Sequence, residues 1–170
     1  MASGDPMGVL YFVRPSVDPA TRKWRVGVDG RRLPTHGFID SAIRNIDAFG
    51  VLDANYGGGG LTLSGSLMAA SATTGDVFME AGIRRDSTAD DTDADHSYSW
   101  KSATVSVSGT NGARTGFTIS FSNGSEMDSL AAGEPYSIRI RRKAGASGDA
   151  ADTLIGDAET FLTGWTVRET

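Results

Sequence analysis

The stretch that decides the fold class is Phe117-Thr118-Ile119-Ser120-Phe121-Ser122. Apolar and polar residues alternate in it without a break, so an extended chain has one apolar and one polar face. Tyr136-Ser137-Ile138-Arg139-Ile140-Arg141 repeats the pattern. A period of two is typical of a β-strand that is buried on one face. Both stretches are therefore predicted to be strands of a half-buried sheet.

Outward from these stretches, the same alternation or a short apolar run recurs along the whole chain. The segments that show it are Val9–Val13, Trp24–Val28, Phe49–Leu52, Leu61–Met68, Val77–Arg84, Tyr98–Val107 and Phe161–Arg168. Clusters of Gly, Asn, Asp and Ser separate them, which predicts roughly eight or nine short strands. Strands at this density indicate an all-β antiparallel sandwich or barrel.

Two stretches show helical spacing. Ser125 precedes an acid three residues on, as in a capping box, and Met127 and Leu130 supply a short apolar face. Gly133 and Pro135 then prevent continuation, so one short helical turn is predicted. A second turn is predicted over Asp40–Ile46, where isoleucines recur at helical spacing.

The composition excludes several classes of function. The chain has 170 residues, which is the size of one domain, and a net charge of −5. That charge argues against a general binder of nucleic-acid phosphates. The absence of cysteine excludes disulfide scaffolds, thiolate metal sites and cysteine nucleophiles. A secretory signal and a bilayer-spanning stretch are both missing, so we expect no membrane partner and synthesis in a cytoplasm.

The acidic loop 86–95 is the first candidate for chemistry. Asp91, Asp93 and Asp95 have the alternate spacing of a calcium loop, but His96 and Ser102 stand where its turn glycine and closing glutamate belong. We expect a solvated loop, with a looser surface calcium site left open. Gly57–Gly60 precedes a strand rather than a helix, so it predicts a turn and not a phosphate cradle.

The sequence contains no motif for catalysis. A Gly-x-Ser-x-Gly elbow is absent, and the two histidines, His36 and His96, both have turn-like neighbours, which predicts surface positions. A carboxylate pair for glycoside hydrolysis stays open, because it can come from any two strands. No catalytic, cofactor-binding or metal-binding residue is assigned, no cofactor is expected, and the protein is expected not to be an enzyme.

A basic cluster ends the strand at 136–141. Arg139 and Arg141 are predicted on its solvent face, with Arg142 and Lys143 at its end. Aromatic residues are not interleaved on that face, as a single-strand nucleic-acid binder would require. The cluster is interpreted as an exposed, soluble strand or as a partner of acidic groups on a neighbouring subunit.

Several segments resemble virion structural proteins of tailed bacteriophages. They are Asn55–Thr62, Ala70–Val77, Met127–Tyr136, Ile138–Arg142, Gly148–Thr153, Gly156–Glu159 and Val167–Thr170. The resemblance covers roughly residues 50 to 170 and fits residues 10 to 48 poorly. It implies a jelly-roll sandwich of the C1q/tumour-necrosis-factor-like type. The corresponding division is an N-terminal segment 1–48, an arm packing on the shell or a neighbour, and a jelly-roll domain 49–170; a single domain 1–170 is the alternative.

The resemblance further implies a capsid decoration (cement) protein on the outer surface of the phage particle, bound to the major capsid protein. The alternative is a tail-fibre or baseplate tip that recognises a host surface glycan or protein, with Tyr56, Tyr98 and Trp100 stacking on sugars. A glycan-cleaving enzyme is a third hypothesis. A homotrimer is also predicted, with at least one of Phe78, Met68 and Leu162 buried at the subunit contact.

Overall fold

A computed structural model describes residues 11–13, 18–26, 29–71, 73–86, 97–145, 150–161 and 165–170. The strands are β1 Tyr11–Val13, β2 Thr21–Val26, β3 Arg32–Phe38, β4 Arg44–Val51, β5 Leu61–Ala69, β6 Gly75–Arg85, β7 Lys101–Val107, β8 Thr115–Phe121, β9 Pro135–Arg142, β10 Ala158–Phe161 and β11 Thr166–Glu169. A 3₁₀ turn spans Ser125–Met127. Among the described residues, no helix has the length and hydropathy that a bilayer crossing requires.

The strands form two antiparallel sheets that pack face to face. One sheet has five strands in the order β1-β4-β9-β6-β7. In the six-stranded sheet, β8 pairs with one edge of β5, while β10 and β11 share the other edge, and β3 and β2 follow β10. The fold is an antiparallel jelly-roll β-sandwich, so the predicted fold class is confirmed.

The alternation read from the sequence places the core between the sheets. Ile138 and Ile140 of β9, Met79 and Ala81 of β6, and Leu63 of β5 are each fully buried. Their neighbours in the chain point to the opposite face, as the period of two requires. Apolar burial on this scale is the main stabilising term of such a sandwich.

One buried charge ties a loop to this core. Arg142 ends β9 on its inward face and is completely buried. Its Nε and Nη2 donate to the carboxylate of Asp152 at 2.8 and 2.6 Å, and its remaining donors reach the carbonyls of Phe38, Leu154 and Gly156. Because every partner is in place, the pair fixes the segment 152–156 against the end of the sandwich.

Of the two predicted helical turns, one is present with different capping and the other is absent. The short turn exists, but Gly124 is its N-cap residue and Ser125 makes no capping hydrogen bond; Glu126 instead accepts from the Ser122 amide at 2.7 Å. The turn predicted over Asp40–Ile46 is wrong. Strand β4 begins at Arg44, and Ile46 is buried opposite Ile140 of β9. Pairing across the sheet decided what short apolar spacing left ambiguous.

The described part of residues 18–48 lies within the sandwich. Strands β2 and β3 belong to the six-stranded sheet, and β4 is the second strand of the other sheet. The predicted contact between an N-terminal arm and a neighbouring molecule stays a prediction.

Candidate functional site: the outer face of the five-stranded sheet

The outward-facing side chains of β4, β9 and β6 form one continuous surface. Alternation turns Asp47 and Phe49 outward on β4, Arg139 and Arg141 on β9, and Glu80 on β6, because their chain neighbours are in the core. We call this surface, completed by Gly82, Arg84, Asp86, Tyr98 and Trp100, the polar–aromatic face.

The first feature of this face is a bidentate ion pair between β4 and β9. Arg139 lies directly opposite Asp47 in the strand register. Its Nε and Nη2 donate to Oδ1 and Oδ2 of Asp47 at 2.7 and 2.8 Å. These hydrogen bonds raise the pKa of the Arg139 guanidinium. The Asp47 side chain is 10% exposed and that of Arg139 33%, so Arg139 is the more exposed member of the pair.

Two further arginines are paired in the same way. Arg141 Nε donates to Glu80 Oε2 at 2.7 Å, again between cross-strand neighbours. At one end of the face, Arg84 Nε and Nη2 both donate to Asp86 Oδ1, at 3.2 and 3.1 Å. Three arginines therefore meet three carboxylates of the same chain, and these six groups carry no net charge.

Two aromatic side chains pack against the paired arginines. The Arg139 guanidinium is 5.3 Å from the ring centroid of Tyr98, and that of Arg141 is 3.6 Å from the Trp100 ring. The two rings are 5.3 Å apart and tilted by 41°. Each guanidinium is thus held on one side by a carboxylate and on another by a π-face, which limits its motion.

Glycine at position 82 makes this arrangement possible. A β-carbon on Gly82 would lie 2.6 Å from Cβ of Tyr98, a distance that real β-carbons do not adopt. The segment before β7 therefore lies directly on the backbone of β6. Only glycine lets the two chains approach so closely.

A third aromatic residue lies across the face from the first two. Phe49 is 41% exposed, although it lies in a strand. The register places it opposite Ser137, two residues from the Arg139–Gly82 pair. Two strand spacings and two residues of rise give a Cα separation of about 12 Å between Phe49 and Gly82. Arg139, on the strand between β4 and β6, lies between these two aromatic positions.

This arrangement suits a ligand with apolar faces and a polar rim. Aromatic rings bind flat apolar surfaces, and fixed guanidinium and carboxylate groups orient hydroxyl groups around them. Among the described residues, no three His, Cys, Asp or Glu side chains are close enough to hold a metal ion. Residues 87–95 of the acidic loop, with the calcium spacing, lie outside the described part of the chain, as does His96.

Other residues singled out from the sequence have structural roles. The hydroxyl of Tyr56 donates to the Gly59 carbonyl, and burial, with a smaller effect of the Glu169 charge, raises its pKa. The amides of Gly57 and Gly59 donate to Glu169 Oε1 at 3.0 and 3.1 Å. The glycine turn therefore does bind an anion, but the anion belongs to its own chain. His36, predicted at the surface, is buried in β3.

The prediction for the basic cluster is confirmed in its orientation and corrected in its partners. Arg139 and Arg141 do face outward, but their acidic partners are Asp47 and Glu80 of the same chain. Tyr98 and Trp100 were named from the sequence as sugar-stacking candidates, but their place on the same face as the arginines was not predicted. The available signal was the Tyr98-x-Trp100 spacing, which puts both rings on one side of an extended segment.

The three side chains predicted at a subunit contact differ in their exposure to solvent. Met68 is fully buried within its own chain, so it is not available for such a contact. Phe78 lies half-buried on the outward side of β6. Leu162 lies outside the described residues. The predicted trimer stays a prediction.

No family model and no curated protein matches this sequence. Three solved structures match this chain with the following scores. The CBM22-1 xylan-binding domain of Xyn10C from Paenibacillus barcinonensis matches with a TM-score of 0.53 at 9% identity, covering 99% of this chain and 97% of that one. The family 11 carbohydrate-binding module from Clostridium thermocellum matches with a TM-score of 0.47 at 11% identity, covering 98% and 96%. The enzymatically active domain of bacteriophage CBA120 tailspike protein 4 gives 0.44 at 8% identity, covering 95% of this chain and 19% of that one.

At 9% identity the first of these matches shows a shared fold and nothing more. The other two have TM-scores below 0.5 and do not establish a shared fold. A shared fold does not transfer a ligand or an activity. The chain is therefore a jelly-roll β-sandwich of the architecture seen in carbohydrate-binding modules.

Proposed function

We propose that the protein is a glycan-binding module whose ligand lies on the polar–aromatic face. One observation carries the proposal: Tyr98 and Trp100 are held against two arginines that are themselves fixed by Asp47 and Glu80. Sugars combine apolar C–H faces with a rim of hydroxyl groups, and this face offers aromatic rings beside immobilised donors and acceptors. The arrangement is preorganised, which lowers the entropy cost of binding.

The fold gives this proposal a precedent. The Paenibacillus domain of the same architecture is a xylan-binding domain. Among the functions inferred from sequence, recognition of a host surface glycan by a phage tail tip agrees best with a glycan-binding face. The comparisons do not support decoration of a phage head, and it stays a prediction, as does a place in a virion.

We propose binding rather than turnover. Both oxygens of the Asp47 carboxylate and one oxygen of the Glu80 carboxylate already accept hydrogen bonds, from Arg139 and Arg141 respectively. A general acid must instead hold a proton and deliver it to the leaving oxygen. Incubation of the protein with a bound polysaccharide should therefore release no reducing ends; release that persists in purified protein would contradict this part of the proposal.

The direct test is a calorimetric titration against a panel of soluble polysaccharides, with two matched tryptophan variants. Trp100→Ala removes a ring from the proposed site, and Trp24→Ala removes an exposed ring from β2 in the other sheet. Truncation of a central aromatic contact costs about 2 kcal/mol or more, so Trp100→Ala should weaken binding by about thirtyfold or more.

The control variant should bind as the unmodified protein does. Urea unfolding of both variants separates lost binding from lost fold. The proposal fails if no polysaccharide of the panel binds, or if Trp24→Ala weakens binding as much as Trp100→Ala.

A further inference from the structure

Every arginine on the polar–aromatic face is neutralised by a carboxylate of its own chain. The pairs are Arg139 with Asp47, Arg141 with Glu80 and Arg84 with Asp86. From this pairing we infer, on the basis of the proposed function, that the ligand is an uncharged oligosaccharide and not a uronic-acid or other anionic glycan.

Charge compensation disfavours an anionic ligand. A ligand carboxylate that approached Arg139 would also approach Asp47, whose two oxygens lie within 2.8 Å of the same guanidinium. The attraction to one group is offset by repulsion from the other, so little Coulomb energy is gained. Binding of an anion would become favourable only if a resident carboxylate were displaced.

The same pairs suit uncharged hydroxyl groups. A guanidinium carries more N–H donors than the two that Asp47 occupies on Arg139, and Arg141 uses only its Nε toward Glu80. The remaining donors are fixed in direction by the ion pairs and by the aromatic rings. They can donate to hydroxyl oxygens without requiring any charge on the ligand.

The spacing of the aromatic residues requires a ligand of several sugar units. Tyr98 packs on Gly82, and the Cα atoms of Gly82 and Phe49 are separated by about 12 Å. This distance is longer than one sugar ring. Arg139, on the strand that separates β4 from β6, occupies the interval between Gly82 and Phe49. A ligand that uses both aromatic positions must therefore cross the strands with one unit at each position and its hydroxyl groups over the ion pair.

The test titrates the unmodified protein with uncharged oligosaccharides of increasing length and with uronic-acid oligosaccharides of the same lengths, at low and at high salt. We expect uncharged ligands to bind with little dependence on salt, and affinity to rise from the monosaccharide to the trisaccharide. Preferred binding of the uronic-acid series, or a monosaccharide that binds as tightly as the trisaccharide, would overturn the inference. If no member of either series binds, the proposed function itself fails.

A pair of variants tests the role of the carboxylates directly. Asp47→Asn with Glu80→Gln leaves both arginines without a compensating charge and should raise affinity for uronic-acid oligosaccharides by about tenfold. Asp157→Asn, which removes a carboxylate paired with Lys23 on the other sheet, is the control and should change nothing. An unchanged preference in the double variant, with its fold intact by urea unfolding, contradicts the inference. If the double variant does not fold, the salt and length dependence of the unmodified protein decide.

Discussion

Substitution of Gly82 by alanine tests the proposed site without replacing any side chain that would contact a ligand. The new methyl group would lie 2.6, 2.9 and 3.1 Å from Cβ, Cδ1 and Cγ of Tyr98. Ordinary carbon–carbon contacts are about 3.5–4.0 Å, so Tyr98 must move outward by about 1 Å. Because the nearest atom is Cβ, rotation of the ring cannot relieve the contact, and the backbone of the segment must shift.

The expected magnitude follows from the contacts that this shift breaks. Tyr98 loses its position under the Arg139 guanidinium and its tilted contact with Trp100, each worth about 0.5–1.5 kcal/mol. A site that must restore these contacts on binding loses about 1–3 kcal/mol, or about fivefold to 150-fold in affinity. Crowding should lower the free energy of unfolding by about 1–3 kcal/mol.

The assay is calorimetric titration with the best uncharged ligand, combined with urea unfolding. Gly116→Ala is the matched control, because a β-carbon there would meet nothing nearer than the Gly65 carbonyl at 3.9 Å, and it should alter neither quantity. If Gly82→Ala binds and unfolds as the unmodified protein does, the close packing of Tyr98 on β6 is not the basis of the site.

Three further predictions follow from other parts of the molecule. Asp152→Ala leaves the buried Arg142 guanidinium without its carboxylate partner and should lower the free energy of unfolding in urea by about 3–5 kcal/mol. Asp157→Ala removes a carboxylate from a partly exposed ion pair and should lower that free energy by less than about 1 kcal/mol. Equal effects of the two substitutions would contradict a role for burial. Burial raises the pKa of Tyr136 to about 12 from 10.0, so Tyr136 ionises in the unfolded state before it does in the folded state. The free energy of unfolding should therefore fall by roughly 2–3 kcal/mol as pH rises from 10 to about 12. Tyr136→Phe should remove most of this loss, and an unchanged alkaline profile in that variant would refute its origin. In sedimentation, Phe78→Asp should convert the predicted trimer to a folded monomer; a monomer already present in the unmodified protein would end that prediction.

Strand positions were largely readable from the sequence because alternation is a local property. Ile119 and Phe121 of β8, and Ile138 and Ile140 of β9, are buried as their spacing predicts. The period of two assigns each side chain to a face whatever the strand order is. The misreading of Asp40–Ile46 has the same origin, since three isoleucines at helical spacing do not reveal that Ile46 pairs with Ile140.

The outward orientation of Arg139 and Arg141 was also determined by their own strand. That strand does not determine which carboxylates the two arginines pair with, because Asp47 and Glu80 lie 92 and 61 residues away in the chain. Whether those carboxylates meet the arginines depends on β4 and β6 flanking β9, and sheet order is a property of the whole sandwich.

The aromatic half of the site and the buried Arg142 depend on tertiary structure in the same way. The Tyr98-x-Trp100 spacing predicts that two rings share a side, but only the close approach over Gly82 brings them against the arginines. Arg142 follows Ile140 in the inward series, and its burial is tolerable only because Asp152 returns from the next loop to pair with it. Local chemistry assigns a side chain to a face, whereas its charge and ring partners are set by which strands become neighbours, and that is decided by the energy of the complete fold.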